Sequence, residues 1–527
     1  MKKKLGVVIL KKKEQIINYF DKTRLAFIGK GILVGICAGL VVSLFRYLIE
    51  ELLGLVKLGY ALLHINPQMI LFWVIASIIL AVVLGLFIKK DPMIKGSGIP
   101  QIEGQILGVM HMNWLSIVLR KGVAGVLAIG SGLFLGREGP SIQLGAAVGQ
   151  GVNEGFKGNR MSEKVLVSSG AGAGLAAAFN APVAGLLFVL EEVHHNFSPL
   201  VLLTTLAATT TANFISLYFF GLRPILSFGY LQTFELKHYG FLVFLGVLLG
   251  VAGFIYQKVV LWIPTVYSKL KKMPPYFYGV IPFILVIPIG YFYPHLIGGG
   301  SDIIHLLAEN PFGLSTLISI FILRFIFSMI SYGSGLPGGI FLPILSLGSL
   351  LGAIYGVFLT TQFGFDPNLL KSFIVIAMAG YFTAIGKAPL TAIVLITEMV
   401  GNFDQLMPMA VVSLVAYVIS DLCGGEPVYE AMLERLVGER EPNITGQKVI
   451  VELCVHVESA LDGCMVRDVS WPRSSLLTGI SRGDHEFIPH GDSIICAGDT
   501  LMILTNRDSS AEVREYLSSY VGVKKPV

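Results

Sequence analysis

The chain has 527 residues, 54% of them hydrophobic and only 14% charged, with a mean hydropathy of +0.74. That balance excludes a soluble globular protein of this length and implies a polytopic membrane protein. The net charge of +5 is modest, and no nucleic-acid partner is expected. Its placement says more: Lys2–Lys4, Lys11–Lys13, Lys22, Arg24 and Lys30 all precede the first apolar span. By the positive-inside rule this puts the N-terminus in the cytoplasm. Leu5–Leu10 is too short for a signal-peptide core, and no small-residue cleavage site follows it. Cys37, Cys423, Cys454, Cys464 and Cys496 form no CxxC pair, so a reduced compartment with no metal site and no cofactor is expected.

In chain order, a basic segment (1–30) leads to apolar spans over Gly31–Leu48 and Met69–Ile88. Gly96-Ser97-Gly98-Ile99-Pro100 then breaks the pattern at the head of another apolar segment. Lys121–Leu135 follows, then Gly136-Arg137-Glu138-Gly139-Pro140, then Val165–Glu192, itself interrupted at Asn180-Ala181-Pro182. Further segments cover Leu200–Phe220, Tyr239–Pro264, Phe277–Pro294, Leu314–Tyr332, Ile340–Leu359, Phe373–Ile385, Leu390–Val400 and Met407–Leu422. Several are too short to span a bilayer alone. Short, interrupted segments in a large bundle predict broken or re-entrant helices surrounded by protein or water.

Glu138 stands out among these breaks. An ionisable residue at membrane depth is a functional-site hypothesis. The flanking glycines let the backbone turn and come close to a partner, and Pro140 suits the first turn of a new helix. Together they predict a helix N-terminus, hence an anion site, with a carboxylate beside it. That carboxylate competes with the anion, carries a proton, or does both. A structural pair with Arg137 is the plainer alternative.

The chain also repeats itself. Pro140 and Pro343 are each followed by glycine five positions on (Gly145, Gly348). Ala181-Pro182 and Ala388-Pro389 each lead to a glutamate nine residues after the proline (Glu191, Glu398). Interrupted helices at corresponding positions of two halves point to a transport site at the repeat interface.

Taken in order, Gly96–Pro100, Gly136–Pro140, Gly338-Gly339-Ile340-Phe341-Leu342-Pro343, Gly386–Thr391 and Tyr429 resemble the CLC family of chloride channels and proton-coupled chloride transporters. The resemblance covers roughly residues 25–435. It implies an all-α polytopic fold of two inverted repeats of broken, tilted helices, about 31–220 and 239–422 within a membrane domain of 31–436. It also implies a homodimer in the lipid bilayer of the plasma membrane, each subunit with its own anion pathway. By the same resemblance Ser97 and Tyr429 donate hydroxyls to a central chloride, and Ile340 and Phe341 donate backbone amides. Glu138 is then the gating glutamate and Glu192 the inner glutamate that exchanges protons with the cytoplasm. Read by themselves, Ser97 is also a possible helix cap, Tyr429 an interfacial tyrosine and Glu191-Glu192 a solvated helix end. Glu398 reads as a structural or vestibule residue, and His194-His195 is not assigned a metal. One departure is Gln101, where many relatives carry an acid. Both glutamates together favour chloride/proton exchange; a passive voltage- or pH-gated chloride channel with the same pore is the alternative.

From 441 to 527 the sequence turns charged and mixed. Val449–Val455, Phe487-Ile488-Pro489, Ser493–Cys496 and Thr500–Leu504 read as strands, Gly491-Asp492 and Gly498-Asp499 as turns, and Ala511–Leu517 as a short helix. This resembles the TrkA-C type of regulatory domain, a small α+β module on the cytoplasmic side. Such modules dimerise and some bind small ligands, including cyclic dinucleotides; a purely structural cap is the alternative. No GxSxG or HExxH pattern argues for an enzyme.

Overall fold

The structure is a computed structural model. It describes residues 2–438 and 448–521, without 195–197, 223, 227, 310–311, 456–458, 483–484 and 507–508. Side chains are described from Arg24 onward, except also at 485, 511, 515 and 518–521. The side chains of Lys2–Lys4, Lys11–Lys13 and Lys22, the whole of His195 and the predicted start of the tail at 441–447 therefore lie outside the described residues.

The chain divides into two compact units, Met1–Leu436 and Val437–Val527. In the first, eight helices among the described residues are long and apolar enough to cross a membrane. Others are short and broken, as the interrupted pattern predicts. Helix Phe341–Phe363 is nearly all apolar and largely buried, whereas Ile70–Lys90 is equally apolar but exposed along most of its length. Apolar residues all round a helix suit both a protein interior and a lipid-facing position.

The internal repeat is visible in the fold. Glu138–Gly155 packs on Arg160–Phe179 as Phe341–Phe363 packs on Leu370–Gly386. Each of those second helices ends on a non-glycine residue in the left-handed conformation, Asn180 (φ 52°) and Lys387 (φ 62°). An Ala-Pro step then starts the next helix, Pro182–Phe188 or Pro389–Val400, with proline in the first turn where its missing N–H costs nothing. The first of these continues as a π-turn, Val189–Val193, that carries Glu191 and Glu192. Helices Pro199–Phe220 and Leu406–Leu422 close the respective halves.

Three elements differ from the sequence expectation. The first span does not stop at Leu48: the helix runs from Lys2 to Ile65, with Arg46 and Glu50 inside it. Ser301–Glu309 and Val428–Gly438 are helices that the apolar pattern did not separate, since both are amphipathic rather than uniformly apolar.

The second unit is a four-stranded antiparallel sheet built from β1 (Lys448–Cys454), β2 (Ser475–Arg482), β3 (His485–Phe487) and β4 (Asp499–Asn506), in the order β1-β4-β2-β3. Helix Ser510–Val521 adds Val513 and Leu517 to a core of Val455, Leu461, Ile480, Ile495, Leu501 and Ile503. Ser493–Cys496 is not a strand. Ile494 makes only an isolated bridge to Met465, while the amide of Ser493 donates to His490 O and that of Cys496 to Asp499 Oδ2, which turns the chain tightly. The strand that takes its place in the sheet is β2, whose pattern is interrupted by a bulge between Leu477 and Gly479.

Candidate functional site

Three glycine-rich turns from different parts of the chain meet at the centre of the membrane unit. Gly136 and Gly339 form an antiparallel bridge, each amide donating to the other's carbonyl at 2.7 Å. The amide of Gly338 donates to Gly96 O at 3.1 Å, and that of Gly96 to Gly335 O at 3.3 Å. Backbone is thus joined to backbone between the two halves. The glycines are required by that closeness: a Cβ on Gly139 would lie 2.8 Å from Ser97 Cβ. Gly98, at φ 94°, lets the chain enter helix Ile99–Leu107 straight after Ser97. Lys121, fully buried, donates from Nζ to Gly96 O at 2.7 Å and so holds the first turn in place.

Helices Ile99–Leu107, Glu138–Gly155 and Phe341–Phe363 all begin at this junction. Their first amides lack intrahelical acceptors, and the helix dipoles add positive potential. Ile340 is the N-cap of the third helix and Phe341 its first residue; both are buried, and the Phe341 ring packs at 4.3 Å on Phe382 and 5.5 Å on Phe179. Ser97 is buried with its hydroxyl near the amide of Ile99, at 3.4 Å. Tyr332 faces Ser97 and donates to Met432 Sδ at 3.1 Å, one helical turn from Tyr429. The Tyr429 hydroxyl is buried and makes no hydrogen bond to a described residue. The structure therefore brings the serine, both helix-start residues and the tyrosine, far apart in sequence, around one region.

Glu138 opens its helix and is fully buried. Neither carboxylate oxygen makes a hydrogen bond of good geometry, although its own amide and that of Leu342 face it. Arg137 does not neutralise it closely: Nε lies 4.0 Å from Glu138 Oε1 and is itself without a hydrogen bond. The guanidinium turns the other way, Nη1 donating to Glu50 at 2.5 Å. Arg137 and Glu50 border a cavity of about 430 Å³ that Arg46, Lys57, Asp302 and His305 also line.

The adjacent carboxylates Glu191 and Glu192 separate cleanly. Glu191 accepts from the amides of Leu390 (3.1 Å) and Thr391 (2.7 Å) and from the Thr391 hydroxyl (2.7 Å), capping the helix of the other half. Glu398, its repeat mate, does the reverse, accepting from the amides of Val183 (3.1 Å) and Ala184 (2.8 Å). Glu398 is therefore an interior cap and not a vestibule group. Glu192 is buried, makes no side-chain hydrogen bond to a described residue, and lies within electrostatic range of Glu103, Glu191 and Glu430. Neither member of the pair is a solvated helix end. Gln101 donates to Lys95 O at 2.9 Å, fixing the turn ahead of its own helix. His194 bonds Ser168 Oγ at 2.6 Å, and among the described residues no group of three His, Cys, Asp or Glu could hold a metal.

Sequence reading missed three features of this site. Glu103 is buried with both oxygens unbonded, one turn beyond the Gly-Ser-Gly-Ile-Pro motif. Arg46 and Glu50 border the cavity. Arg324, fully buried, donates to the carbonyls of Leu296, Gly298 and Gly299 and to Ser346, and so holds the loop that forms part of the cavity wall. A lone charge inside Leu314–Tyr332 was the signal for the last.

Comparisons with known proteins agree with this architecture. The family described as voltage gated chloride channel matches residues 79–421, and the TrkA-C domain matches 450–518. The H(+)/Cl(-) exchange transporter ClcA of Vibrio cholerae is 31% identical over 444 residues, covering 81% of this chain and 94% of that protein. ClcA of Vibrio vulnificus is 32% identical over 455 residues, covering 82% and 94%. Among solved structures, a slow cyanobacterial Cl-/H+ antiporter superposes with a TM-score of 0.75 at 29% identity, over 79% of this chain and 98% of that one. A CLC-type fluoride/proton antiporter shares the fold at 22% identity, with a TM-score of 0.63 over 77% and 97%. With its motifs joined across two repeated halves and its sequence aligned over most of its length, this chain belongs to the voltage gated chloride channel family and carries a TrkA-C domain after its membrane region.

Proposed function

We propose that this chain is a secondary active transporter that exchanges chloride for protons across the plasma membrane. The observation that carries the reading is the Glu138 carboxylate, buried, unbonded and set where helix N-termini from both halves converge. Ionised, it is held there by the dipoles and by the amides facing it, and so occupies an anion's place. Protonated, it loses that attraction and swings away, and chloride takes the position. One group thereby makes the two ions exclude each other. Ser97, Tyr429 and the amides of Ile340 and Phe341 hold the central chloride with neutral donors. Such donors bind a halide yet let it leave, as transport requires. Glu192 passes protons between Glu138 and the cytoplasm. That it makes no side-chain hydrogen bond to a described residue supports that role, since a carboxylate fixed like Glu191 has its lone pairs already taken by donors.

The same reading takes the protein as a homodimer with both termini in the cytoplasm, and the TrkA-C domain as a regulatory part that binds a small ligand, a cyclic dinucleotide being one candidate. The test uses purified protein in liposomes with a chloride gradient, no initial pH gradient and a valinomycin clamp at zero voltage. Protons driven against a growing pH difference are expected. Chloride movement at constant internal pH would instead make the protein a passive channel in which Glu138 only gates.

A further inference from the structure

Glu138 must leave its position during each exchange, yet a guanidinium stands beside it. Were Arg137 to close on that carboxylate, a charge-assisted, bidentate pair in a water-poor site would hold it in place. The structure shows the opposite arrangement. Arg137 Nε sits 4.0 Å from Glu138 Oε1 with no hydrogen bond, while Nη1 donates to Glu50. The same Glu50 oxygen, Oε1, also accepts from Arg46, whose Nε donates to it at 3.1 Å. Arg46 cannot follow Arg137 inward. Its Nη1 donates to Asn180 Oδ1 at 3.3 Å, and its guanidinium lies 3.8 Å from the centre of the Phe220 ring. Asn180 is fixed by the Ser216 hydroxyl, which donates to it at 3.0 Å. An anchored chain thus runs from Ser216 through Asn180, Arg46 and Glu50 to Arg137.

We propose that Glu50 is a positioning residue for the exchange step: it holds the Arg137 guanidinium off the Glu138 carboxylate, so that the carboxylate remains able to swing. The inference rests on the exchange reading given above. The charged groups facing Glu138 are Arg137 at the start of its own helix and Arg46 from the first helix, with the amide of Leu342 from the other half. Those facing Glu50 are the same two arginines. Lys57, Asp302 and His305 border the same cavity, with Lys57 paired to Asp302. The Glu50 side chain is 44% exposed, so its replacement leaves no buried gap.

The experiment measures chloride efflux from liposomes holding the full chain, with pH matched on both sides and varied from acid to neutral. Without the Glu50 charge, Arg137 is drawn to Glu138 and favours its ionised, bound form, so more acid is needed to release it. In Glu50→Gln, half-activation is expected to move to lower pH by roughly one unit, with efflux near neutrality falling roughly tenfold. Glu50→Asp, which keeps the charge, should recover most of the wild-type profile. In a Glu138→Gln background, Glu50→Gln should have no effect, because no carboxylate remains to be held. A Glu50→Gln profile that superimposes on a proton-pumping wild type overturns the proposal alone, as does equal slowing in the Glu138→Gln background, which marks a purely structural role. A wild type with flat pH dependence and no coupled protons overturns the exchange reading, and the proposal with it.

Discussion

Where the Ala181-Pro182 and Ala388-Pro389 turns face each other, each half lends a glutamate to the helix of the other. Glu191 is held by three donors and Glu398 by two amides, across some two hundred residues of chain. At the second seam, the Gly136/Gly339 bridge, helix ends from both halves also converge, but Glu138 accepts no hydrogen bond of good geometry from a described residue there. The first seam has the chemistry of a clasp: a carboxylate whose lone pairs are filled by fixed amides stays in place. The second leaves a carboxylate with alternatives. Glu191 and Glu192, adjacent in sequence, fall on opposite sides of this distinction.

Removing the free carboxylate should have the largest consequence. Glu138→Gln is expected to keep chloride flux while coupled proton movement in the liposome assay drops by at least about a hundredfold, the scale set by loss of an essential proton carrier. Persistent uphill pumping would move the competing group elsewhere. Glu192→Gln should preserve chloride flux and thermal stability but suppress proton flux roughly tenfold or more, as for loss of one relay group. If Glu192→Gln pumps normally, Glu103, a buried carboxylate within electrostatic range of it with both oxygens unbonded, becomes the residue to test.

The clasp should respond in the reverse sense. Glu191→Ala or Glu398→Ala leaves two helix-start amides, one of them on a buried residue, without their carboxylate partner, at a cost of about 1–3 kcal/mol. A lowered melting temperature is expected in detergent, with transport per folded molecule still coupled. A variant that melts like the wild type but no longer moves protons would show that the clasp and the pathway are not separate.

Much of this contrast is legible in the order of residues along the chain. The matched Pro-to-Glu spacings mark Glu191 and Glu398 as equivalent, and the isolated charge in Gly-Arg-Glu-Gly-Pro marks the second seam. What spacing does not convey is that each cap crosses to the other half, since that depends on how two distant turns face each other. Arg46 and Glu50 are hidden for a different reason. Glu50-Glu51 after Leu48 reads as the end of a span, yet the helix continues, with Arg46 and Glu50 pairing with one another and Glu50 with Arg137 beside a cavity. In the tail, β2 escapes notice because Gly479 and its bulge break the alternation that marks a strand, while Ser493–Cys496 mimics one in a segment of tight turns.

The tail repeats the clasp in water, where its effect should be smallest. Asp499 is fully buried at the start of β4, and burial by itself would raise its pKa. Arg482 outweighs that, donating from Nε to Oδ1 and from Nη2 to Oδ2, each at 2.7 Å, while the amide of Cys496 donates to Oδ2 at 2.8 Å. The carboxyl is therefore held below the ordinary aspartate value of 3.8. Because the folded form binds its proton less readily than the unfolded form, this contribution is complete above that value and is lost as pH falls through the folded pKa. Arg482 is 45% exposed, so solvent screening keeps the net effect to about 1 kcal/mol. In the full chain, limited proteolysis of the tail should accelerate only below about pH 4. Asp499→Asn should accelerate it modestly at neutral pH, by removing the charge while keeping the shape. Equal protection of Asp499→Asn and wild type at neutral pH would mean that the Val455, Ile480, Leu501 and Leu517 core alone holds this unit, and that the free glutamates of the membrane region have no counterpart clasp here.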